Sequence, residues 1–238
     1  MIRVARVDLE EKLRKRLDLR TTLLVKRAAN AKSARRSWKG ALAERNNIKS
    51  ALSLMATGIE RCMYCGDNRG TDIDHFEPIS ISPRRTFEWQ NHLLACSSCN
   101  SNAKRDSFPC DSDGKSLLIN PAIDEPSDHI ELSFSQGKYE GVTLKGQVTI
   151  DVFQLNRGDL EMGRAIAFAR CKSMLRDYLA LRADGLAEEA CETKGALENQ
   201  PFADVLHAMY RAAHLPGATM VLGGPDVVKL LIDWQLSG

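Results

Sequence analysis

Leu9, Leu13 and Leu17, followed by Leu23 and Leu24, recur at helical spacing in a stretch from Asp8 to Met55 that has no proline and a single glycine, Gly40. Apolar positions three and four apart place one stripe against a core. The stretch therefore predicts two or three helices, with a break near Ala31–Gly40; Leu42, Ile48, Leu52 and Met55 continue the pattern less regularly. Between Arg61 and Pro109 the period disappears, and short apolar runs are cut by Gly66, Gly70, Pro78 and Pro83. That composition suits a compact, loop-rich unit. Runs at Ser116–Ile119, Glu131–Ser135, Lys138–Tyr139 and Gln147–Val152 predict short strands, with a hairpin turn at Gln136-Gly137. From Gly158 the helical period returns. Leu160, Ile166, Ala167, Ala169, Met174, Leu175, Tyr178 and Leu179 predict one long helix. Shorter helices are expected at about Leu186–Leu197, Phe202–Ala213 and Pro225–Leu236, with breaks at His214–Gly217 and at Gly223-Gly224-Pro225.

Three regions follow: a helical segment over 1–60, a loop-and-strand segment over 61–157, and a helical segment over 158–238. Charge separates the first from the rest. Residues 1–61 hold 16 Lys and Arg against 6 Asp and Glu, although the whole chain carries only +2. A basic third suggests a polyanionic partner, and Arg35, Arg36 and Lys39 could form a phosphate-gripping face, with Trp38 among them read as a packing residue. No apolar run approaches the ~20 residues needed to cross a bilayer. The basic start is followed by no apolar stretch of the secretory kind, so the cytoplasm is the expected location, with no membrane partner.

Seven cysteines do not close into a disulfide framework. Cys62 and Cys65 form one Cys-x-x-Cys pair, Cys96 and Cys99 another, 30 residues apart. Two such pairs fit a tetrahedral zinc site, and four thiolates leave no open position, so this zinc would be structural. Cys110, Cys171 and Cys191 have no partner spacing and read as buried or half-buried free thiols.

Between the pairs lies TDIDHFEPIS, then FEWQNHLLACSSCNSNAKRDSFP. His75 is suited to accept a proton from water near neutral pH. Asp74 offers the hard oxygen that Mg²⁺ or Mn²⁺ prefers, and the Asn100 amide oxygen could complete a sparse shell. Neighbours on a strand point to opposite faces, so Asp74 and His75 can serve one phosphate only at a strand end or bulge. Asp72, two residues back, shares a face with Asp74 and is a rival ligand.

The order Cys-x-x-Cys, Asp74-His75, Asn91, Cys-x-x-Cys-Asn100 and Lys104 resembles the HNH (His-Asn-His) endonuclease signature. The resemblance implies a ββα-metal fold in which a hairpin and one helix enclose a divalent ion. It implies that Asp74, directly before the histidine, is a ligand together with Asn100, that His75 is the general base, and that Asn91 ties the hairpin loop and orients His75. Lys104, one helical turn after Asn100, reads either as a phosphate contact or as a solvated lysine. His92 falls outside the pattern and reads as a surface or packing residue, Trp89 as packing under the hairpin, and His129, His207 and His214 as structural or exposed. A narrower resemblance, which also draws on Leu117–Pro121 and Leu155–Arg157, is to PtuB-type HNH effectors of Septu and retron-associated anti-phage systems, where the nuclease works beside an ATPase subunit.

The expectation is an α+β protein: a ββα-metal core with a structural zinc knuckle, a few short added strands, and α-helices on both flanks. Its expected activity is cleavage of phosphodiester bonds, in DNA, with Zn²⁺ structural and Mg²⁺ or Mn²⁺ catalytic. Two alternatives stand beside it: an idle zinc-knuckle protein that binds nucleic acid, and a docking subunit that cleaves only in complex with an ATPase.

Overall fold

In the computed structural model, which describes residues 1–237, the N-terminal region forms α1 (Glu11–Lys26), α2 (Ala31–Lys39) and α3 (Leu42–Met55). The expected break at Ala31–Gly40 is thus a helix of its own. Asn30 starts it: the side-chain oxygen accepts from the Ser33 N–H at 3.0 Å, satisfying a donor that the first turn would leave orphaned. Leu13, Leu17 and Leu24 on α1, with Ile48, Leu52 and Met55 on α3, form the buried stripes. α3 packs on a hairpin of β1 (Asp72–His75) and β2 (His92–Ala95), while α1 and α2 pack on the turn at Pro83–Arg85.

β1 and β2 are antiparallel, pairing Asp72 with Ala95 and His75 with His92. The chain then enters a π-helical turn, Ser98–Lys104, in which the Arg105 N–H reaches back five residues to the Asn100 carbonyl at 2.8 Å. A second hairpin, β3 (Ile130–Ser133) and β4 (Lys138–Gly141), stands where two of the predicted strands and their turn lie. Of the other two predicted strands, Gln147–Val152 is helical, inside α4 (Leu144–Phe153). Thr143 caps that helix by accepting from the Gly146 N–H at 3.1 Å, and Gly146, Thr149, Ile150 and Phe153 face inward at helical spacing. Burial at that spacing overrides the β-branched composition. Ser116–Ile119 is no strand either. It has a single bridge, Ser116 to Cys110, and the Ile119 N–H spends itself on the Thr149 hydroxyl at 2.8 Å.

The C-terminal helices are α5 (Gly158–Ala183), α6 (Ala187–Asn199), α7 (Ala203–Ala212), α8 (Ala218–Leu222) and α9 (Pro225–Ser237). The one-turn α8 lies between the two predicted breaks. The protein is therefore α+β: helices on both flanks of two two-stranded hairpins. Among the described residues no helix is long and apolar enough to cross a membrane.

Arg164, fully buried on α5, joins the second hairpin to the helices. Its guanidinium donates to the Gly137 carbonyl at 2.6 Å and to that of Leu155, and lies 4.2 Å from the Tyr139 ring centre. Tyr139 in turn donates to Asp204 of α7. Gly137 makes this approach possible. Its φ is +65°, and a Cβ there would lie 1.9 Å from the Glu161 carbonyl oxygen. Gly137→Ala should therefore destabilise the fold by about 1–3 kcal/mol through backbone strain and overpacking. A calorimetric melt that matched the wild type would show that the hairpin and α5 do not meet this closely.

Candidate functional site

The sulfurs of Cys62, Cys65, Cys96 and Cys99 are gathered, with all four ligand atoms within 4.8 Å of one another and every residue buried. Cys65 and Cys96 are 3.9 Å apart, sulfur to sulfur. Zn–S bonds of ~2.3 Å in a tetrahedron require sulfurs about 3.8 Å apart, so the pocket fits a zinc ion. Burial pushes the Cys62 thiol up, and hydrogen bonding within the cluster pushes Cys99 up while drawing Cys65 and Cys96 down. A divalent cation would resolve that conflict by holding all four as thiolates.

The knuckle reaches the strand through Tyr64, one of the two residues between Cys62 and Cys65. Its buried ring stacks on Phe153 at 3.9 Å, and its hydroxyl donates to Asp74 Oδ2 at 2.6 Å. The other Asp74 oxygen accepts from Lys104 Nζ at 2.9 Å, and the same ammonium donates to the His75 carbonyl at 2.8 Å. Lys104 is fully buried and Asp74 nearly so. The π-helical turn aims Asn100 and Lys104 at the two carboxylates that share one face of β1. Lys104 takes Asp74, while the Asn100 amide donates to Asp72 at 3.2 Å.

His75 points the other way, as alternation on a strand requires. Its Nε2 lies 3.0 Å from the Thr86 carbonyl oxygen. Asn91 holds the loop that carries this carbonyl. Its side-chain oxygen accepts from the Glu77 N–H at 2.8 Å, and its amide donates to the carbonyls of Glu77 at 3.0 Å and Arg85 at 3.3 Å. Because the carbonyl only accepts, Nε2 carries the proton and Nδ1 the lone pair. Burial lowers the His75 imidazole to about 4, so the ring is neutral at pH 7, the form a proton acceptor needs.

A family model described as HNH endonuclease matches residues 62–106, the span from the first cysteine to two residues past Lys104. This segment is an HNH endonuclease domain. Among curated proteins, the chain is 32% identical to Septu protein PtuB of Bacillus thuringiensis over 114 residues, which cover 45% of this chain and 41% of that protein. It is 27% identical to Septu protein PtuB of Bacillus mycoides (strain KBAB4) over 154 residues, half of each chain. A Septu protein PtuA of the same strain is 29% identical over 143 residues, 48% of this chain but 20% of that protein. The chain thus spans half or less of the length of these relatives.

Within the HNH domain, Asp74, His75, Asn91 and Lys104 are brought together, and Asn100 stands beside Asp72, the rival ligand. Asp74 and Asn100 meet different partners. Both Asp74 oxygens are engaged by Tyr64 and Lys104, and an ion between Asp74 and Asn100 does not fit this arrangement. Lys104 is likewise turned inward, away from any phosphate. Outside the domain, Arg35 of α2 is paired with Asp106 at 3.0 Å, while Arg36 and Lys39 are exposed. Of the three unpaired cysteines only Cys171 is buried; Cys110 and Cys191 are exposed. His207 and His214 are exposed, and His129 is half-buried with its Nδ1 2.9 Å from the Thr143 hydroxyl.

Three residues of this site were not visible as such in the sequence. Tyr64 is hidden by the knuckle that contains it. Trp38 packs, as expected, but against the imidazole of His75 at 4.6 Å. His92 is wholly buried and bonds the same carbonyl as His75. A histidine paired with the motif histidine across a predicted hairpin was the signal available for it.

Elemental analysis of the purified chain should find about one tightly held zinc per molecule, and Cys99→Ser should lose both the zinc and the folded HNH domain. A zinc-free protein with an intact near-ultraviolet dichroism spectrum would remove this assignment.

Proposed function

We propose that the chain is an endonuclease that hydrolyses phosphodiester bonds of nucleic acid, DNA in particular, as the nuclease effector of an anti-phage defence system. The observation that carries this reading is the state of His75 inside an HNH domain: a neutral imidazole, anchored through Nε2, with the Nδ1 lone pair uncommitted. In this reading His75 takes a proton from the attacking water, and Asn91 acts through the Arg85–Thr86 backbone to keep the ring in register. Removing a general base costs typically about 10²–10⁴-fold in rate. The basic N-terminal helices supply non-specific attraction for the backbone.

A second reading is favoured by the inward pairing of Lys104 with Asp74: cleavage is switched on only in complex with an ATPase partner. The similarity to one fifth of a protein named PtuA supports it, since a segment like this chain there shares a polypeptide with further sequence. In this reading docking releases Lys104 from the carboxylate.

Supercoiled plasmid incubated with the zinc-loaded chain and Mg²⁺ or Mn²⁺ tests both. Nicking that falls by about 10²-fold or more in His75→Ala is expected under the first reading. Nicking that needs an added ATPase partner decides for the second. No nicking of plasmid with or without the partner, and no cleavage of an RNA strand under the same conditions, would overturn the nuclease reading.

A further inference from the structure

His75 and His92 face each other across the β1–β2 hairpin, the last register pair on that side. Each presents Nε2 to one oxygen, the Thr86 carbonyl, at 3.0 Å. A carbonyl oxygen has two lone pairs and no proton to give. It can therefore take both rings, and both must be protonated at Nε2. The imidazoles stand 5.0 Å apart in an edge-to-face arrangement at 75°, so each ring packs against the other.

Trp38 closes the remaining side. Its indole meets His75 edge-on at 4.6 Å and stacks on His92 at 5.2 Å. The Arg45 guanidinium lies 5.7 Å from the indole centre. Trp38 comes from α2, outside residues 62–106.

Packing alone explains His92 poorly. Its Nδ1 is buried with no hydrogen-bond partner among the described residues, and such an orphan costs free energy that an apolar residue of similar size would avoid. What the histidine adds over leucine is the second proton on the Thr86 carbonyl. That proton leaves His75 only one lone pair to bond, and so only one orientation.

We propose that His92 and Trp38 are positioning residues, which confine the His75 imidazole to its Nε2–H tautomer and keep Nδ1 as the proton acceptor. This rests on reading His75 as the general base. It adds that the HNH segment is incomplete as a catalytic unit without the helix that carries Trp38.

The test uses the full, zinc-loaded chain with ¹⁵N-labelled histidine, comparing wild type with His92→Leu, Trp38→Leu, His92→Gln and Trp38→Phe. His75 signals are assigned by their loss in His75→Ala. Long-range proton–nitrogen spectra should show a single Nε2–H tautomer for His75 in wild type and a mixture in the two Leu variants. His92→Gln retains a donor for the carbonyl and Trp38→Phe retains an aromatic face, so these two variants should restore the single tautomer. In plasmid nicking, the Leu variants should lose about 10- to 100-fold in kcat with KM within about twofold, since misplacing a reacting group by an ångström costs on that order.

Unchanged His75 spectra in both Leu variants, or a loss carried by KM alone, would overturn the proposal. Should a Leu variant fail to fold, as judged by its melt, His92→Phe or Trp38→Met replaces it, with the same reading. A wild type that nicks nothing would refute the nuclease function, but the tautomer spectra would still decide the positioning roles.

Discussion

Four sulfurs from two places in the chain determine where everything else in the HNH domain can sit. Cys62 and Cys65 precede β1, and Cys96 and Cys99 follow β2, so gathering them closes the hairpin at its open end. A two-stranded ladder of four residues per strand is marginal alone. Here it is clamped at the sulfurs, covered by α3, and tied at its far end by the Asn91 side chain. The clamp is also directional. Tyr64 is held between two of the sulfurs, so its hydroxyl has little choice of target, and that target is Asp74.

β1 then sorts the chemistry by alternation. Asp72 and Asp74 lie on one face, where Asn100, Lys104 and Tyr64 meet them. His75 lies on the other, among His92, Trp38 and Phe87. The ionic face is costly to bury. A fully enclosed Lys–Asp pair forfeits hydration on both sides and is repaid only by good geometry, and losing one partner leaves a bare charge. The three bonds made by Lys104 and Tyr64 meet that condition. The imidazole face needs no charge at all, because burial keeps His75 neutral.

The motif residues were legible in the sequence because their spacing reflects chemistry: two knuckles, a carboxylate–histidine pair, and an asparagine after the last cysteine. The long helices were legible because their apolar stripes are local patterns. What stayed hidden depended on contacts distant in sequence. Gln147–Val152 reads as a strand by composition, yet a capping threonine and four inward-facing positions of α4 make it helical. Asp72 and Asp74 were rivals for one role until the π-helical turn gave each its own partner. That turn has one residue more per hydrogen-bonded loop than an α-helix, a difference invisible to periodicity.

The residues before the HNH segment share none of its motif, yet they set its geometry. Arg6 donates to the carbonyls of Trp89, Gln90 and His92 at 2.8–3.1 Å, which fixes the backbone leading into β2 from outside. Trp38 fills the space behind His75, and Arg20 lies 5.3 Å from the ring centre of Phe87, one residue beyond the carbonyl that both histidines share. Each contact constrains a main-chain or ring position rather than a reacting atom. Geometry at this scale is what a proton acceptor needs, because a ring free to rotate spends most of its time misaligned. A short motif can thus be recognised by its own residues while the placement of its backbone and rings is set by segments that share none of its pattern.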